Sequence, residues 1–80
     1  MSIIADAVKL LRDEPDTPSA DRLYAAAQCA ETVSAAENVA RAELARPRSD
    51  SRWSREEHAR WEAWQHEAWF ALSLAVGAQS

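Results

Sequence analysis

Glycine and cysteine each occur once in these 80 residues, and no apolar run is long enough to cross a bilayer. With Gly77 as the lone glycine there is no glycine-rich loop to cradle a phosphate, which excludes the common nucleotide-binding fingerprints. Cys29 alone cannot form a disulfide within the chain, a pattern expected of a reducing compartment. The longest nearly apolar stretch, Ala68 to Ala78, falls well short of the ~20 residues a spanning helix needs. The first residues, Met1 to Asp6, have neither the basic start nor the apolar centre of a secretion signal, so the expected location is the cytoplasm. Cations are also scarce: nine Lys and Arg against thirteen Asp and Glu give a net charge of −4. Residues 1–45 hold four basic and eight acidic side chains, 46–55 sum to +3, and 56–80 sum to −3. Only a short connector offers clustered cations, so neither direct nucleic-acid binding nor an anionic membrane surface is expected.

What the chain has in abundance is alanine, 18 residues of it, which with so little glycine favours helix at nearly every position. The expected fold class is all-α: one domain of 1–80, with helices at about 3–13, 18–45 and 55–76. A chain this short buries only about 60–65 % of the surface its unfolded state exposes. Additional stability has to come from the four tryptophans or from dimerisation.

All four tryptophans, Trp53, Trp61, Trp64 and Trp69, fall in or beside the last helix, and its start is sharply marked. Ser54-Arg55-Glu56-Glu57 has the spacing of a capping box, with both glutamates at the positive end of the helix dipole. Helical periodicity puts Trp61, Trp64, Ala68, Leu72, Ala75 and Val76 on one side, with His58 and Trp69 at its margin. Ala59, Ala63, Phe70 and Leu74 form a second apolar strip roughly opposite. Covering both strips requires either a third helix or a partner subunit. Gly77 fits the position just past the helix end.

Before it, Ser2 can cap a short helix in which Ile4, Val8 and Leu11 make one apolar line and Ile3, Ala7 and Leu10 the next. That helix is expected to lie as a lid over a hairpin. Pro15 and Pro18 break it, with Thr17 as the next cap. The second helix is expected to run unbroken to Ala45, where Arg46-Pro47 stops it. Its seam reads Leu23, Ala26, Ala30, Val33, Glu37, Ala40 and Leu44 in steps of three and four, and small residues there suit a neighbour rich in tryptophan. Tyr24, Ala35, Val39 and Ala42 form a weaker far strip, so this helix is expected to be covered from both sides. Arg46 to Arg52 then turns the chain back into a long antiparallel hairpin.

Candidate chemistry is thin. His58, Glu62 and His66 are spaced four apart, but the histidines stand two turns apart and no fourth ligand is evident, so no metal is expected. Asp50, Ser51, Ser54 and His58 include the residue types of a nucleophilic triad, yet a capping serine is committed to backbone amides and nothing forms an oxyanion hole. No catalytic residue, cofactor or enzymatic activity is expected. Cys29 borders the alanine seam as a small buried hydrophobe. Glu37 within the seam is expected to reach solvent or Arg41 rather than stay buried. Arg46, Arg48, Arg52 and Arg55 beside Trp53 are read as a solvated connector.

Two surfaces remain. Trp69, Phe70 and Leu74 are expected to form an interface cluster serving a homodimer. Asp13, Glu14, Asp16 and Asp21 form an acidic run in which Asp13 and Glu14 stand at the unfavourable end of the first helix dipole, as a basic partner surface would select. In size, acidity, helicity and lack of catalytic residues the chain resembles the small phage-encoded inhibitors of the anti-CRISPR kind. The resemblance implies a non-enzymatic module that blocks a basic, nucleic-acid-binding surface of a host protein or ribonucleoprotein complex, with those four acids as contacts. The other expectation is a self-associating structural or regulatory domain.

Overall fold

The computed structural model describes residues 3–13, 17–47 and 52–78. Every regular element among them is a helix: α1 (Ile3–Asp13), α2 (Thr17–Ala27), α3 (Val33–Leu44) and α4 (Arg55–Gly77). The all-α expectation is met, and two of the three expected helices stand within a residue of their expected bounds. The second does not. The stretch expected as one helix over 18–45 is two helices, joined by a turn over residues 28–32.

The break contains neither proline nor glycine, and its cause is a hydroxyl. Thr32, 2 % exposed, donates from Oγ1 to the Ala26 carbonyl at 2.6 Å and to the Cys29 carbonyl at 3.3 Å. A side chain that satisfies carbonyls in this way competes with the continued helix ladder. The backbone tightens alongside it, with Gln28 and Cys29 amides donating three residues back, to Ala25 and Ala26. The Ala36 amide then donates to Thr32 at 2.9 Å and begins α3. Thr32→Val keeps the shape and removes the donor, leaving the Ala26 carbonyl with less than it had. A loss of about 1–2 kcal/mol is expected in urea unfolding; an unchanged midpoint would take the hydroxyl out of this account.

The turn also resets the helical phase, which corrects the expected seam. Leu23, Ala26 and Ala40 are buried as expected and Glu37, half-buried 3.8 Å from Arg41, has the partner expected of it, but Ala30 and Leu44 are exposed. In α3 the buried residues are Ala36, Val39, Ala40, Ala42 and Glu43. This face takes α4 on one side and α1 on the other. The expectation of cover from both sides therefore holds for α3.

Helix α1 buries Ile4, Ala7, Val8 and Leu11, spaced three and four apart, against α2 and α3. Its cover extends to that pair and leaves the outer strip of α4 open. The core is mostly alanine, filled out by Leu11, Leu23, Leu72, Val8, Val39 and Ile4. Small side chains let the helix axes approach, and the few large ones then carry much of the apolar burial.

Helix α4 begins as its sequence indicates. The Ser54 hydroxyl accepts from the Glu57 amide at 3.2 Å, and Glu57 Oε1 accepts from the Ser54 amide at 3.3 Å. Trp53 and His58, at the positions of a hydrophobic staple, bring their rings to 5.9 Å. No helix of the described residues is long and apolar enough to cross a membrane.

Candidate functional site

The two faces of α4 are unequal. Its inner face is fastened to α3 by indoles: Trp61 Nε1 donates to the Ala42 carbonyl at 2.7 Å, and Trp64 Nε1 to Asn38 Oδ1 at 3.2 Å. Ala68 and Leu72 complete this face at 1 % exposure each.

The strongest polar link is Glu43. Its carboxylate is 1 % exposed and accepts from three sides: Trp69 Nε1 at 2.8 Å, Gln65 Nε2 at 2.8 Å and the Arg46 guanidinium at 2.6 Å. A buried carboxylate is tolerated only when paired and hydrogen-bonded, and this one is. The sequence pattern singles out Glu37, and the acid that the structure buries is Glu43. The available signal was its spacing, four residues after Val39 and seven after Ala36, on the face that turned out to be core.

Trp69 is thereby committed within the chain. It packs against the core, donates to Glu43, and carries the Arg22 guanidinium 5.4 Å from its ring centroid; Arg22 also donates to Ser73 Oγ at 2.9 Å. The expected cluster of Trp69, Phe70 and Leu74 is therefore divided by the structure. Trp69 faces inward, while Phe70 and Leu74 are 61 % and 60 % exposed. Ala59, Ala63, His66 and Glu67 are exposed on the same outer strip. Together these residues make an apolar stripe along the longest helix, interrupted at its middle by His66 and Glu67.

The acidic run is only partly described. Asp13 and Asp21 are exposed, and Asp21 lies 3.9 Å from Arg12, both side chains being more than half exposed. Such a pair contributes little to stability. Glu14 and Asp16 lie outside the described residues, as do Arg48, Asp50 and Ser51.

Grooves indent the surface of the described residues. One of about 460 Å³ runs between α2 and the end of α4, walled by Ala25, Ala26, Leu72 and Val76 with Arg22 and Cys29 at its edge. Cys29 is half-buried there, not sealed in the core, and its thiol donates to the Glu31 carboxylate at 2.8 Å. That bond, with a second from the Glu31 backbone, holds the Glu31 carboxyl below its ordinary value. A second groove, about 570 Å³, lies between α1 and the α2–α3 pair, and a third, about 250 Å³, is bounded by Trp53, Trp61 and Trp64. Among the described residues no three His, Cys, Asp or Glu side chains gather closely enough to hold a metal ion. The His58 ring stands 5.9 Å from that of Trp53, and the Ser54 hydroxyl accepts from the amide it caps. No protein-family model, curated protein or solved structure matches the chain, and its functional reading therefore rests on these surfaces.

Proposed function

We propose that this protein is a non-enzymatic protein-binding module that docks through the outer face of α4. The observation that carries the reading is the exposure of Phe70 and Leu74, 61 % and 60 %, on a helix whose inner face is already filled by α3. Contiguous large apolar side chains left in water mark an interaction surface, and aromatic anchors concentrate its energy. The alanines that extend the stripe allow close approach of another backbone.

A second reading is favoured by the exposure of Asp13 and Asp21 and by the net charge of −4. In it the acidic edge of α1 and α2 occupies a basic, nucleic-acid-binding surface of a host protein or ribonucleoprotein complex, in the manner of an anti-CRISPR-type inhibitor. One experiment separates the two. Tagged parent protein, a Phe70→Glu, Leu74→Glu variant and an Asp13→Lys, Asp21→Lys variant are each used for capture from nuclease-treated bacterial lysate. All four positions are exposed, so circular dichroism should match among the three proteins. Loss of captured partners with the first variant supports docking through α4. Loss only with the second transfers the function to the acidic edge, and full capture by the first variant overturns the α4 reading.

A further inference from the structure

We infer that the occupant of α4's outer face is a second copy of α4, lying antiparallel in a register set by the stripe itself. The inference rests on the docking reading above and adds the partner and the geometry. Its basis is a symmetry in the residues. The midpoint between His66 and Glu67 is equidistant along the chain from Ala63 and Phe70, and equidistant again from Ala59 and Leu74. A two-fold axis through that midpoint places each Phe70 level with an Ala63 of the other copy, and each Leu74 level with an Ala59. Every large side chain thus meets a small one, which keeps two helices at an even separation along the whole contact. All four positions are exposed in the single chain and free to make this contact without repacking.

The polar interruption fits the same axis. His66 and Glu67 of the two copies come together at the centre, where two carboxylates meet two imidazoles. An imidazole donates an N–H to a carboxylate whether neutral or charged, so the four groups can satisfy one another across the axis. A parallel pair lacks the matching of large side chains to small. It would set Phe70 on Phe70 and Leu74 on Leu74 at one end, alanine on alanine at the other, and Glu56 against itself. Antiparallel alignment also opposes the two helix dipoles favourably. From Ala59 to Leu74 the contact is about 22 Å long, and an interface this small belongs to the weak, reversible class.

Single cysteines test the partner and the register together, in a Cys29→Ser background so that the native thiol plays no part. Near the axis, Glu67→Cys brings the two sulfurs within disulfide reach. Ala59→Cys holds them about 22 Å apart along the pair. Under a mild oxidant the first is expected to yield covalent dimer rapidly and the second to remain uncrosslinked. Rapid crosslinking of both would establish a parallel pair and overturn the register. Sedimentation of the parent at about 0.5 mM supplies the second readout, chosen to lie far above a micromolar Kd. Twice the chain mass of 8.9 kDa is expected, falling to 8.9 kDa for Phe70→Glu. A parent that stays at 8.9 kDa overturns the second copy as occupant. The lysate capture then decides independently whether the face docks a different protein.

Discussion

Glu43→Ala should cost this protein about 3 kcal/mol, a large share of the roughly 4–12 kcal/mol that a domain of this length holds in total. The carboxylate is 1 % exposed, and its removal leaves Trp69 Nε1 and Gln65 Nε2 on α4 without their acceptor, together with the Arg46 guanidinium on the α3 side. Arg46 is about a third exposed, 31 % by side chain, and can turn toward water, which holds the loss to the lower end of the range for a broken buried pair. The two α4 donors have less freedom. Thermal unfolding should drop by about 12–24 °C, taking the usual sensitivity of small domains. Glu43→Gln tests the same link more gently, because it keeps an acceptor while setting an amide N–H₂ among donors. A double-mutant cycle with Trp69→Phe should show coupling of about 1 kcal/mol. If Glu43→Ala stays within about 0.5 kcal/mol of the parent, the carboxylate is not what joins α4 to α3.

Leu72→Ala is expected to have a comparable effect, about 3–4 kcal/mol, for a different reason. Leu72 is the one large aliphatic side chain that α4 buries completely, at 1 % exposure. The core it enters is mostly alanine, whose short side chains have no rotamers with which to fill a void. The cavity should therefore persist, which keeps the loss clear of the lower end of the range for leucine truncation. The measurement is the urea midpoint, lowered at an unchanged slope. Leu74→Ala supplies the contrast. Two residues on, and 60 % exposed, it should leave stability within about 0.5 kcal/mol of the parent. Equal losses at the two positions would mean that the inner and outer faces of α4 have been assigned wrongly.

How much of this was legible in the sequence follows from which residues carry local information. The start of α4 was, because a capping box is written in four consecutive side chains. Its two faces were as well, since tryptophans and leucines at helical spacing leave little choice of phase. The division at 28–32 was not. Alanine lies on both sides of it and favours helix on either, and the residue responsible, Thr32, acts through a hydroxyl aimed six residues back at Ala26. Propensity summed over a window does not register one such bond. With the break unseen, the far end of the seam falls on the wrong residue: Ala40 is buried as the spacing predicts, but Leu44 is exposed and its neighbour Glu43 takes the inside place. Glu43 illustrates a second limit. A buried acid is recognisable only with its donors in place, and those donors, Gln65 and Trp69, lie 22 and 26 residues away. Trp69 was expected on an interface for the same reason, its internal acceptor being invisible in one dimension. Phe70 and Leu74 needed no distant partner to be read as outward, and the structure exposes both.

The placement of the tryptophans has an optical consequence. Three are on α4 and the fourth immediately precedes it, while α1 contains no aromatic residue and α2 only Tyr24. Indole emission thus gauges the seating of α4 on α3 and, through Arg22 over the Trp69 ring, on α2, and carries no signal from α1. If α1 peels away from α2 and α3, the fluorescence spectrum will not record it. A melting curve followed at tryptophan wavelengths describes the surroundings of α4, and only where it coincides with the helical signal at 222 nm does it describe the whole.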